Sequence, residues 1–450
     1  MCINKKSVFF GLFFLCILSF FSFSENVLDP LEYDTAKDHV VFLKSVIDHI
    51  IEHSPEMEMA LEDIKKAKRE LKTAKTYYLP HLTLQGSAGV DLLHTEDFDK
   101  NNLGADLILD WNFFRNGRLI YRVAQAKATV IEAELKKYDL ELKIALETKQ
   151  NIFDLLTQKA QLEIDRVELE REKKKLEKLQ IQYDQGQVKQ TDITRFKATL
   201  FEKEQRYLKK KTEYTFSWLT FSRHAPVEDI THVDYSLYTS DAFSKVTLDE
   251  LQEFALENMP KNKINKMSVD LSKKGTRLAR WRRWPQVELF AGNAFALDDL
   301  GEDNNELELR TGVIVRYPLY DGGEIKNEIL LAKLQERRAQ LMYDQGLDEI
   351  KDQVREDYYN VEAQQALFEA ASMHFNILKK DMEQSDLEFE NGLIAQFDYD
   401  ELMLTLEKAR LRKMNAYFDL LKAFAKLERD IGIQYLTMDI VRTTAEENNK

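Results

Sequence analysis

An internal duplication narrows what this chain can fold into more than any other feature. Punctuation residues of the first half return in the second at a nearly constant distance. Pro55 returns as Pro260 and Pro80 as Pro285, 205 residues on; Trp111–Gly117 (WNFFRNG) returns as Tyr317–Gly323 (YPLYDGG) and Gly186 as Gly392, 206 residues on. A period near 200 residues is far too long for a solenoid. The chain therefore reads as one large unit written twice, 25–225 and 247–434, joined by an aperiodic linker, 226–246. Gly 15 and Pro 7 are low counts for 450 residues, and Lys, Glu, Leu, Ala and Gln recur throughout, which is the usage of long helices. The few Gly and Pro should mark real breaks.

Each unit has the same predicted layout. A short helix, Lys37–His53 or Leu248–Asn258, precedes one opened by proline, Pro55–Tyr78 or Pro260–Trp284. Proline suits a first helical turn because an N–H there has no intrahelical partner. Two strands follow, because apolar and polar residues alternate with a period of two. Leu82, Leu84, Gly86, Ala88, Val90 and Leu92 form one apolar row; Leu103, Ala105, Leu107, Leu109, Trp111 and Phe113 form the next. The second unit supplies Val287, Leu289, Ala291 and Phe295, then Leu307, Leu309, Val313, Val315 and Tyr317. The β-hairpins span 80–114 and 285–320, and their connections, 94–102 and 298–305, are polar and acidic. Strands of roughly ten residues match what a tilted membrane strand needs. A soluble hairpin with one face on a core would show the same alternation.

Long helices come next, from about Gly117 to Asp184 and from about Gly323 to Glu390. At 1.5 Å per residue each reaches on the order of 100 Å, so it must belong to an extended bundle or tube. Apolar residues recur at every seventh position: Leu155, Leu162, Leu169, Leu176 and Tyr183, then Leu347, Val354, Val361, Phe368, Phe375, Met382 and Phe389. The first set superposes on the last five of the second at an offset of 206, so the supercoil seam is duplicated as well. Gly346 lies inside the second long helix and should weaken it locally. Gly186 and Gly392 fit tight turns that close helical hairpins over 117–225 and 323–434, since positive φ costs glycine nothing. The return helices are Thr191–Phe221 and Phe397–Ile431, and 435–450 reads as a disordered tail.

Lys5 and Lys6, the apolar run from Ser7 to Phe23 and the small-x-small Ser22-Phe23-Ser24 describe a signal peptide over 1–24. An uncleaved anchor helix is the alternative, the run being about the lower length limit for a span. Cys2 and Cys16 both lie there, so the mature chain has no disulfide, and Leu15 before Cys16 argues against lipid attachment. Removing this segment, with two Lys and no acid, takes the formal charge from −14 to −16, a poor match to nucleic acid. No later apolar run is long enough for a helical span, and mean hydropathy is −0.45, so any membrane crossing must use strands. Four strands leave open edges that lipid cannot satisfy. Three copies would supply twelve, an allowed barrel number.

Tyr78-Leu79-Pro80, Tyr317-Pro318-Leu319-Tyr320-Asp321-Gly322-Gly323, Phe389-Glu390-Asn391-Gly392 and Leu406-Glu407-Lys408-Ala409-Arg410 together resemble the pattern of TolC-like outer-membrane factors. The resemblance covers nearly the whole mature chain, and the PLYDGG junction is its most specific piece. It implies a mainly α fold with β. Duplicated coiled-coil helical hairpins and two β-hairpins would form a trimeric, 12-stranded outer-membrane barrel continued by a periplasmic helical barrel. The implied function is a passive conduit in tripartite efflux or type I secretion, as a homotrimer contacting outer-membrane lipid, a periplasmic adaptor protein and an inner-membrane pump. The turns around Gly186, Asp192 and Gly392 would be the adaptor-contacting tips, and Asp398 with Glu401 would carry the periplasmic gate. Repeated by threefold symmetry, such carboxylates attract cations and repel one another. Read from the residues alone, Asp398 favours a helix dipole and Glu401 is solvated surface; Asp192 holds the place of Asp398 in the first unit, whereas Arg195 replaces Glu401. Pro80, Gly117, Pro285, Pro318 and Gly323 mark the strand–helix junctions. Arg115-Asn116-Gly117 departs from the Asp-Gly-Gly usual in this family, though Asn116 can adopt a left-handed conformation.

No glycine-rich phosphate loop follows a strand, the eight His are scattered, and acidic residues are too numerous for any pair to indicate hydrolysis. Neither enzyme activity nor a cofactor or metal is expected. The basic run 171–175 sits between Glu residues and reads as a solvated helix face. The rival to a conduit is a periplasmic coiled-coil scaffold or adhesin without a channel.

Overall fold

The computed structural model describes residues 41–90, 101–114, 117–225, 233–234, 247–296 and 308–434. The signal segment 1–24, nearly all of both hairpin connections, Asn116, most of the 226–246 linker and the tail after 434 lie outside the described residues. In chain order the elements are β1 (Val41–Phe42), α1 (Leu43–His53), α2 (Pro55–Thr76), β2 (His81–Val90), β3 (Asn101–Phe114), α3 (Arg118–Asp184), α4 (Gln190–Ser222), β4 (Val233–Asp234), α5 (Leu248–Asn258), α6 (Pro260–Trp281), β5 (Gln286–Ala296), β6 (Glu308–Arg316), α7 (Glu324–Glu390) and α8 (Gln396–Ile431). The duplication is thus a duplication of elements. Both long helices contain 67 residues, and both proline-opened helices contain 22.

Helix starts follow their local chemistry. Ser54 accepts a hydrogen bond from the N–H of Glu56 ahead of Pro55, and Thr247 with Glu250 forms a reciprocal capping box at α5. α2 and α6 end two and three residues earlier than expected, at Thr76 and Trp281. The chain turns there before Pro80 and Pro285, whose rings disfavour a helical residue ahead of them. The expected helix start at Lys37 lies outside the described residues; at Val41–Phe42, where helix was also expected, the chain forms the two-residue strand β1, which pairs in parallel with β4 inside the linker.

Side-by-side packing places four helices in a row at each level. Below the long helices' midpoint the order is α4, α3, α8, α7; above it, α2, α3, α6, α7. The strands repeat this arrangement as one antiparallel sheet, β2-β3-β5-β6. Leu82 lies opposite Leu109, Leu84 opposite Leu107, Trp111 opposite Leu289, and Leu289 opposite Val313. Much of this apolar face is open: Leu84 is 75% exposed and Val315 61%. No element among the described residues covers it. A bulge between Trp111 and Phe114 advances the register, so Phe114, rather than Phe113, pairs with Val287.

The core sits at mid-height. Leu43, Val46 and Ile47 of α1 join Ile152, Phe153 and Leu156 of α3 and Phe418 and Leu421 of α8. Leu251, Phe254 and Ala255 of α5 join Ile350, Val354 and Val361 of α7 and Leu427 and Ile431 of α8. Every heptad position named above is buried or half-buried, as the supercoil requires. α7 runs unbroken through Gly346, which is buried. A Cβ there would come within 2.7 Å of Asn265 Nδ2, so this glycine serves a close approach of α6 and the expected weak point does not interrupt the helix.

Buried charge departs from the duplication. Lys149 Nζ donates to Glu428 Oε2 and to the carbonyl of Gln434, each at 2.6 Å. Nearby, Asp357 is 1% exposed and meets Lys426 Nζ at 2.7 Å. Burial, and then a hydrogen bond with Asp430, pushes the Asp357 carboxyl up to about 7, against the pull of Lys426. A carboxyl raised in the fold binds its proton more tightly than in the unfolded chain. The stability it contributes is therefore full below its ordinary value of 3.8 and is lost as pH rises through about 7. Asp357→Asn should shrink the fall in thermal midpoint between about pH 5 and about pH 8. An unchanged slope would assign the titration to another group.

Candidate functional site

The helical-hairpin tips are built alike to the hydrogen bond. At the first, Gly186 (φ 75) donates to Tyr183 O at 2.8 Å, and Gln187 N–H to Gln182 O at 2.9 Å. At the second, Gly392 (φ 71) donates to Phe389 O at 2.9 Å, and Leu393 N–H to Glu388 O at 2.8 Å. Both are Schellman closures, in which a left-handed residue lets two late carbonyls find partners. The return helices also start identically: Asp192 N–H donates to Lys189 O and Asp398 N–H to Ala395 O, each at 3.0 Å. Asp192 and Asp398 are exposed in the first turns of α4 and α8.

Side chains distinguish the second tip. Tyr399 O–H donates to Asp386 at 2.8 Å and its ring stacks on Phe389 with centroids 4.5 Å apart. Burial, then the Asp386 carboxylate, pushes the Tyr399 hydroxyl up to about 12. The two hairpins meet beside it. Arg171 of α3 donates to Glu401 of α8 at 3.5 Å and lies over the Phe397 ring at 5.1 Å. Lys175 lies 5.2 Å from Phe397 and 5.7 Å from Phe196. The run read as a solvated face is exposed over 173–175, and it also places two cations, Arg171 and Lys175, beside the second hairpin. Arg171 is only 20% exposed, while Glu401 remains 64% exposed. Nothing in the spacing of the run foretold this, because it depends on the register of α3 against α8. Asp398 and Glu401 share one face of α8, but Asp398 stays outside the Arg171 contact.

The junctions lie at the opposite end. Gly117 (φ 73) and Gly323 (φ 92) start α3 and α7 from left-handed conformations. The N–H groups of Ile325 (2.8 Å) and Gly323 (3.0 Å) donate to Asp321, and these bonds hold its carboxyl below the usual carboxylate range. Trp111 Nε1 donates to Tyr78 O at 3.1 Å, tying β3 to the end of α2 beside Pro80. Pro285 and Pro318 flank the second sheet half, next to Trp284 and the exposed Leu319 and Tyr320.

The described residues thus form a four-strand sheet that continues into two helical hairpins, with open edges at every level. The family model for outer membrane efflux protein matches residues 46–223 and 253–432. The chain belongs to that family of outer-membrane efflux proteins, and its place is the outer membrane. Solved structures share the fold at low identity. CusC is 13% identical with a TM-score of 0.69, covering 90% of this chain and 96% of its own. The outer membrane protein VceC of Vibrio cholerae is 17% identical with a TM-score of 0.67, covering 87% and 96%. The Campylobacter jejuni CmeC outer membrane channel is 16% identical with a TM-score of 0.69, covering 91% and 89%. A search of curated proteins found no match.

Proposed function

We propose that three copies of this chain, exported by a signal peptide over 1–24, join edge to edge as the outer-membrane conduit of a tripartite efflux or type I secretion system. The observation that carries this reading is the pair of open edges. β2 and β6 end the sheet, α2 and α4 end the helix rows on one side, and α7 ends them on the other. Three sheets give twelve strands with up and down directions alternating around the whole ring. Exposed apolar residues on the edge helices, Phe201 and Phe216 of α4 and Met373 and Ile377 of α7, suit burial against a neighbour. Family membership favours this conduit over a scaffold or adhesin. Fractionation with and without detergent, followed by crosslinking, should yield a trimer only from detergent-extracted outer membrane. A water-soluble monomer or dimer would overturn the assembly.

The tips at Gly186 and Gly392, with Asp192, would meet the adaptor, which in turn couples to an inner-membrane pump. Threefold repetition of Asp398 would form a ring of carboxylates facing the aperture, with the Arg171–Glu401 contact holding it closed. In planar bilayers Asp398→Asn should weaken block by divalent cations several-fold, because multivalent ions are held most tightly by a charged ring. Arg171→Ala should raise the conductance of the closed channel. Unchanged block in Asp398→Asn would remove that residue from the gate.

A further inference from the structure

We infer that the upper end of α6 is a binding surface for anionic phospholipid headgroups of the periplasmic leaflet, formed by Arg277, Arg280 and Arg283 with Trp281 and Trp284. The inference rests on the proposed membrane placement of the strands. α6 carries seven Lys and Arg against one Asp, in a chain whose formal charge is −14. The fold does not require this charge: α2, the duplicate of α6, carries six basic residues against five acidic ones.

The basic residues nearest the strands are open. Arg277, Arg280 and Arg283 are exposed, and none has an ion-pair partner among the described residues. Arg282, between them, is turned the other way, onto Glu324 and Glu328 of α7. Trp284 is 63% exposed; Trp281 is 41% exposed, with one edge of its ring against Gly117. β5 begins at Gln286, so the cluster stands directly below the sheet.

Two considerations identify the occupant. α6 is flanked by α3 and α7 of its own chain, whereas α2 has α3 on one side only. A neighbouring copy would therefore cover α2 and leave α6 open. The headgroup layer is roughly 5–8 Å thick per leaflet. Arg280 precedes the last residue of the helix and Arg277 lies one turn below it, about 5 Å away, so both fall within that layer. Exposed tryptophan is poorly suited to an aqueous lumen and well suited to the lipid–water boundary. Guanidinium groups bind phosphate in a planar, two-point manner, and a basic cluster at the surface gains affinity for anionic lipid with each added charge.

Native mass spectrometry of the full-length protein in detergent, titrated separately with phosphatidylglycerol, cardiolipin and phosphatidylcholine, tests this. Wild type should retain the two anionic lipids over phosphatidylcholine. Arg277→Gln/Arg280→Gln/Arg283→Gln should lose that preference by about fivefold per arginine, and the matching lysine substitutions should keep most of it. Single substitutions Arg277→Gln and Arg280→Gln read the same loss at partial size if the triple variant does not assemble. Equal retention of all three lipids by wild type, or an undiminished anionic preference in the glutamine variants, overturns the inference. The same spectra report the oligomer, so a protein that is not a trimer overturns the channel assembly separately.

Discussion

Lys149→Met is expected to cost about 3–5 kcal/mol of stability, because removing one member of a buried ion pair leaves the other charge in a medium that solvates it poorly. The pair joins α3 to the end of α8, and its side chains are only 2% and 3% exposed. Without the ammonium group, Glu428 must take up a proton or admit water, and the Gln434 carbonyl loses the same donor. Lys149→Met/Glu428→Leu should recover most of the loss, since packed apolar chains of similar volume often equal a buried pair. Urea unfolding of the detergent-solubilised protein, followed by far-ultraviolet circular dichroism, measures both. A cost below about 1 kcal/mol for the single variant would mean that the pair is hydrated in solution.

Gly117→Ala and Gly323→Ala should differ although the two glycines are duplicates. Each holds a positive φ, which costs a residue with a Cβ about 1–2 kcal/mol. At Gly323 a Cβ meets nothing within 4 Å, whereas at Gly117 it would overlap the six-membered ring of Trp281. The indole must move, adding about 1–3 kcal/mol of overpacking. Gly117→Ala is therefore expected to cost about 3 kcal/mol in all and Gly323→Ala about half as much. In a Trp281→Ala background the two penalties should converge, which a double-mutant cycle reads directly. A difference that survives loss of the indole would place its origin in the backbone.

The sequence revealed the architecture well because the duplication checked itself. Gly186 and Gly392 could be read as turns since both adopt the positive φ that favours glycine, and Pro55 and Pro260 both occupy first helical turns. What stayed hidden depends on pairing distant segments. Arg171 meets Glu401 across 230 positions and Lys149 meets Glu428 across 279, and neither contact has a counterpart in the other unit. Once α3 and α7 are aligned at the offset of 206, Lys149 corresponds to the exposed Arg355, so the duplication pointed away from burial there. The packing of Gly346 stayed hidden for a related reason: helix propensity describes an isolated helix, and this one presses against Asn265. The two-residue strands β1 and β4 are too short for any alternation to show.

The unpaired backbone groups along β2 and β6 also bear on how the protein is made. In the proposed assembly the strands stand in lipid, where each unmet N–H or carbonyl costs several kcal/mol, so a single chain could not complete insertion by itself. Association and membrane entry would then proceed together, and the fraction of chains that finish would depend steeply on how many arrive within a given area at once. A modest fall in synthesis should therefore deplete finished channels more than proportionally, leaving single chains with bare strand edges open to unwanted pairing.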